Sequence, residues 1–213
     1  SALATLNSMK ADNLQQGYQA IQVARNVFDL TLQDRAEQLT TGVRILASDF
    51  GFKQAVATQE RETIRSVLEN HGRRIGADLS ILLSPQGELM VATSDMVDLS
   101  HLTQQVTDAR RQALPSVTKI IDINHRAYQL VLVPVRAPNV IAWVGMAFLM
   151  DNELAQQTKE VTGLDISFVG QGKGHNLKSI STLPEPDQTT LFDSLDLRLL
   201  GQSATFSEDE RYL

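Results

Sequence analysis

The chain has 213 residues, 19 Lys and Arg against 25 Asp and Glu, a net charge of −6 and no cysteine. At 42% hydrophobic and 21% charged it has the composition of a folded protein with a core, which excludes a disordered chain. No stretch concentrates Lys and Arg without matching acids, which argues against a nucleic-acid partner, and the lack of Cys excludes disulfides, thiolate zinc sites and cysteine nucleophiles.

No run of about eighteen apolar residues occurs, so a membrane is reached only through segments outside this sequence. The opening SALATLNSMK lacks the apolar region of a signal peptide, and a first residue of Ser rather than Met points to a piece of a longer protein.

From Leu3 to Phe50 apolar residues recur at spacings of three and four, the pattern of one amphipathic helical face. A continuous helix over 1–50 would reach about 75 Å, longer than a domain of this size is wide. Its first half then calls for a partner, and a second copy of the same helix, giving a homodimer through residues 1–30, is the simplest. The helix is expected to stop at Asp49-Phe50-Gly51 with Gly51 as its C-terminal cap. Two shorter helices are predicted over 52–57 and 59–73, the second capped by Thr58 and carrying Glu60 and Glu62 in its first turn.

The period then changes to that of strands. ADLSILLSPQGELMVATS holds two apolar runs around the turn Ser84-Pro85-Gln86-Gly87. Residues 99–114 return to helical spacing and Pro115 ends them. Strands follow at Val117–Ile123, Tyr128–Val135 and Val140–Leu149, joined by short turn-rich connectors that imply an antiparallel meander. Residues 151–161 read as a helix capped by Asp151 or Asn152. From Thr162 the grammar restarts, with two strands around a Gly-rich turn in LDISFVGQGKGHNLKSISTL and a helix from Pro184 to Leu195. Two strands and one helix do not close a sheet of five, so the second module is expected to be reduced or incomplete.

Chemistry is sparse. Among His71, His101, His125 and His175, each lies at an element end or in a turn, and no Ser elbow or metal-ligand spacing accompanies them. Gly170-Gln171-Gly172-Lys173-Gly174 lacks the Ser or Thr after Lys and opens no helix, so it reads as a hairpin turn rather than a phosphate loop. Glu208, Asp209 and Glu210 read as a solvated acidic run. No enzymatic activity, metal or cofactor is expected.

The element order, with RAEQLTTGVRILASDFGFKQAVAT (35–58), NHGRRIGADLSILLSPQGELMVATS (70–94) and YQLVLVPVRAPNVIAWVGMAFLMD (128–151), resembles the double Cache arrangement of bacterial extracytoplasmic sensor domains. The likeness is strongest to the sensor regions of membrane-bound GGDEF/EAL proteins of cyclic di-GMP turnover, with relatives in histidine kinases and chemoreceptors. It covers roughly residues 30–200. It implies an α+β fold: a long N-terminal helix (1–50), a first PAS-like antiparallel sheet module (51–162) and a second, smaller one (163–213). It also implies a periplasmic ligand sensor that transmits through its terminal helices. The amino-acid-binding signature of many double Cache domains is not evident, nor is a final strand and exit helix in the second module.

In such a module one sheet face and the helical segment 99–114 enclose a small-molecule pocket. The candidate ligand-binding residues are Tyr128 and Trp143 on successive strands, Asp122 on the strand before, Arg74 after the second short helix, and Ser94 and Asp95 after the hairpin. An Arg facing the pocket would suit a carboxylate or amino acid. The competing readings are that Tyr128 and Trp143 are core aromatics, that Asp122 and Asp95 serve turns and caps, and that Arg74 is solvated. A ligand-free dimerisation scaffold is the alternative function.

Overall fold

A computed structural model of the protein describes residues 2–94, 99, 102–124, 126–169 and 179–188. The chain divides into two compact units, one of Asp34–Met150 and one of Ser1–Gln33 together with Asp151–Leu213. The long helix predicted from periodicity is present as α1 (Ala2–Ser48), which contributes to both.

In the unit Asp34–Met150, α1 ends one residue before the predicted break, and the capping chemistry differs from expectation. Asp49 is the N-cap of α2 (Phe50–Thr58), its carboxylate accepting from the Phe52 N–H at 2.7 Å. Gly51 therefore sits inside the first turn of α2 and caps nothing. Thr58 belongs to the end of α2, where its hydroxyl donates to the Gln54 carbonyl, and the N-cap of α3 (Arg61–Ile75) is Glu60. The left-handed Gln59 turns the chain between the two helices.

The period-2 segments form a five-stranded antiparallel sheet in the order β2-β1-β5-β4-β3. Its strands are β1 (Leu79–Leu83), β2 (Leu89–Ala92), β3 (Val117–Ile123), β4 (Arg126–Arg136) and β5 (Val140–Leu149). The predicted meander is β3-β4-β5, and β5 then pairs with β1, which makes it the central strand. That position explains why β5 reads as an almost unbroken apolar run, since a central strand covered on both faces has no solvent side.

Two cores follow from the alternation. One face, with Leu82, Val91, Val131, Val133, Val144, Met146 and Phe148, packs against Val43 and Leu46 of α1, Phe52 and Val56 of α2, and Ile64 and Leu68 of α3. The other, with Leu79, Ile81, Leu83, Ile121, Leu130, Leu132 and Trp143, packs against Leu99 and against Leu102, Val106 and Ala109 of α4 (Leu102–Arg111). α4 leans on the β1–β2 turn at Gly87, whose φ of 90° is left-handed and whose missing Cβ would lie 2.8 Å from Thr103 Cα. The Thr103 hydroxyl donates to the Gly87 carbonyl at 3.2 Å.

In the other unit, Asp151 caps α5 (Asn152–Thr162) by accepting from the Leu154 N–H. The predicted strand pair is β6 (Ser167–Val169) and β7 (Ser179–Ser181), antiparallel. Its Gly-rich connector, residues 170–178, lies outside the described residues, as do His101, His125, His175 and the acidic run. The Asp165 carboxylate accepts from Lys159 at 2.6 Å and from Thr182 at 2.7 Å, and Phe28 of α1 meets Phe168 with ring centroids 6.0 Å apart. Residues 185–188 are helical, and the rest of the predicted 184–195 helix lies outside the described residues.

Candidate functional site

The candidate site is the sheet face beneath α4, and strand parity decides which polar side chains reach it. β3 pairs with β4 in an unbroken register, Ile121 opposite Tyr128 and Lys119 opposite Leu130. Ile121, Ile123 and Leu130 lie in the α4-side core with Tyr128 packed against it. Tyr128 and, by alternation, Lys119 therefore belong to that face. Both are half-buried. They are diagonal neighbours across the two strands, at roughly 7–8 Å, within reach of one bound group.

Trp143 shares this face and is 1% exposed, with its indole N–H buried and without a hydrogen-bond partner. It lies far from Tyr128, however. In the β4–β5 register Tyr128 faces Leu149 and Trp143 faces Pro134, six residues along β4. Six residues of strand span about 20 Å, so the two aromatics mark opposite ends of the face. Between them the packing is close. A Cβ on Gly145 would lie 2.6 Å from Leu132 Cδ2 and 2.8 Å from Ile81 Cγ1.

The remaining candidates are dispersed. Asp122 alternates with Ile121 and Ile123, and so sits on the opposite face from Tyr128 and Trp143. Arg74 is exposed in the last turn of α3, a helix packed on that opposite face. Ser94 is exposed just after β2, and Asp95 lies outside the described residues. The sequence reading passed over Lys119. The signal was present in VTKIIDI, where odd positions carry the buried Ile121 and Ile123. His71, on α3, donates from Nε2 to the Gly42 carbonyl at 2.8 Å and ties α3 to α1. Among the described residues no three His, Asp or Glu side chains gather to hold a metal ion, and no helix is long and apolar enough to cross a membrane.

What this face offers is recognition: apolar walls, a cation and a phenol at one end, and an indole N–H at the other. The family described as "Double sensory domain of two-component sensor kinase" (dCache_3) matches residues 14–195. No curated protein matches the sequence. Among solved structures, the fold is similar to the periplasmic domain of Vibrio cholerae LuxQ, with a TM-score of 0.52 and 10% identity over 84% of this chain and 86% of that one. It is also similar to a domain of a protein assigned to the sensory box/GGDEF family from Vibrio parahaemolyticus. The TM-score there is 0.50, with 10% identity over 92% of this chain and 87% of that one. With most of its length matched and a PAS-like sheet behind a long N-terminal helix, the chain belongs to the double Cache family of sensory domains.

Proposed function

We propose that this chain is the ligand-sensing part of a bacterial membrane-bound signalling protein. It stands on the periplasmic side of the inner membrane, held there by segments outside this sequence. Its ligand is a small carboxylate-bearing molecule seated at the Lys119–Tyr128 end of the α4-side face. One observation carries the reading: a lysine and a tyrosine are diagonal neighbours at the edge of a largely apolar sheet face, with the exposed Arg126 next along β4 on the same side. A half-buried ammonium beside a phenol favours an anionic group, because both can donate to its oxygens and the low-dielectric surroundings strengthen the attraction. Lys119 here takes the part that the sequence reading gave to Arg74.

The bound state passes on through the terminal helices of a homodimer joined through residues 1–30. Exposed Tyr18, Val23 and Leu30 on α1 support that contact, with the uncharged Gln15, Gln19 and Gln22 beside them. The sequence resemblance to sensor regions of GGDEF/EAL proteins supports an output in cyclic di-GMP turnover. The description of the matched family, which names a sensor kinase, supports a histidine kinase as the other output.

A thermal-shift comparison of benzoate with benzamide, and of butyrate with butyramide, tests the site. A carboxylate at a hundredfold excess over its dissociation constant stabilises the folded state by about 2.7 kcal/mol. The expected result is a shift with a carboxylate and none with its amide, lost in Lys119→Met and kept in Lys119→Arg. Equal shifts with acid and amide, or a shift that survives Lys119→Met, count against it. A second reading, a dimerisation scaffold without ligand, is favoured by the close packing around Gly145. It predicts no shift with any probe and a melting temperature that rises with protein concentration.

A further inference from the structure

The last residue of β5 is held by side chains from two other elements. The Leu149 N–H donates to Asp78 Oδ2 at 2.7 Å, and the Leu149 carbonyl accepts from Arg35 Nη2 at 3.3 Å. Asp78 leads into β1 and is fixed there by its own N–H, which donates to the Ala147 carbonyl at 2.9 Å. Arg35 belongs to α1 and stands 114 residues from Leu149 in sequence. A main-chain N–H and C=O at a strand end ordinarily pair with water or a turn. Here a carboxylate takes one and a guanidinium the other, and both bonds are charge-assisted.

The position of this clamp gives it meaning. Leu149 ends the central strand, and its register partner on β4 is Tyr128, the phenol of the proposed ligand end. The proposed ligand end and the residue that Arg35 holds are thus cross-strand neighbours. The two bonds differ in length. The Asp78 bond is short and the Arg35 bond lies at the long limit for N–H···O.

We infer that Arg35 is a positioning residue through which α1 reads the end of β5, with Asp78 and Arg35 clamping Leu149 between the sheet and the long helix. The inference extends the proposal that the state of the sensor passes through α1. Its test uses no ligand, so the carboxylate site and the clamp fail separately.

Hydrogen exchange on the whole 213-residue chain supplies that test. Asp78 is exposed, so Asp78→Ala removes the carboxylate without opening the core. It should speed exchange of the Leu149 amide about tenfold, and of the α1 amides at 36–40 at least threefold, as the Leu149 carbonyl that Arg35 Nη2 holds is no longer fixed from the other side. In an Arg35→Met background the same change should still speed Leu149 but leave the 36–40 amides where Arg35→Met alone puts them. Arg35→Lys, which keeps a donor, should restore part of the response. If Arg35→Met does not fold, as judged by far-UV circular dichroism, Arg35→Gln takes its place. A merely structural arginine would give additive effects. The inference is overturned if Asp78→Ala leaves the 36–40 amides unchanged, or changes them equally with and without Arg35.

Discussion

The two faces of the five-stranded sheet are covered by unequal means. One lies under α1, α2 and α3, which follow one another between residues 34 and 75 and supply Val43, Leu46, Phe52, Val56, Ile64 and Leu68 to a single core. The other lies under α4, a helix of ten residues, seated through Leu102, Val106 and Ala109. Three helices braced on one another leave little freedom for any one of them. A lone short helix docked by three side chains and a hydrogen bond to Gly87 can shift by itself. Polar side chains occur on both faces: Ser80 and Gln129 are buried on the three-helix side by strand alternation, while Lys119, Tyr128 and the unpaired Trp143 N–H lie on the α4 side. The pleat of the sheet keeps the two coverings apart.

The largest expected effect contrasts the two coverings directly. Leu68 of α3 and Leu102 of α4 are both fully buried. Leu68→Ala should cost about 4 kcal/mol, near the upper part of the range for buried leucines, because the helices around it cannot close on the cavity. Leu102→Ala should cost about 2.5 kcal/mol, because α4 can settle into the space. Urea unfolding of both variants measures the difference, and equal losses would break the contrast between the faces.

The next effect asks how full the α4 side is. Gly145 lies on β5 against Leu132 and Ile81. Gly145→Ala should destabilise by about 2 kcal/mol, because both side chains must leave their positions to admit a methyl group. The same urea measurement decides it. A neutral result would mean slack in the middle of this face and would favour a ligand reaching further in than the Lys119–Tyr128 end.

Much of the fold was legible in the sequence, and the reasons are physical. β3 and β5 run over the predicted residues because alternation and apolar runs are set by the pleat and by burial, which act residue by residue. The α1–α2 junction was misassigned because Asp49-Phe50-Gly51 fits both a glycine C-cap and an aspartate N-cap, and only the Phe52 N–H bond to Asp49 decides between them. The site was less legible. Trp143 and Tyr128 were rightly expected on successive strands, but their separation depends on the β4–β5 register, which no local pattern reveals. Asp122 and Lys119 differ by three positions and so fall on opposite faces, a matter of parity that residue type does not convey. The Leu149 clamp joins positions 35, 78 and 149, and nothing in sequence brings those together.

The smallest effect belongs to Trp143, where two terms oppose. Trp143→Phe removes part of a large buried ring, which by area alone would cost about 2 kcal/mol. It also removes an indole N–H that is buried without a partner, a group whose desolvation costs about 1–3 kcal/mol in the wild type. The terms nearly cancel, so the variant should unfold within about 1 kcal/mol of the wild type. Because Trp143 is the only tryptophan in the chain, the readout is circular dichroism rather than fluorescence. A loss well above 2 kcal/mol would mean that the N–H is satisfied in solution, by water or a bound molecule. The α4 side would then hold a polar site at both of its ends.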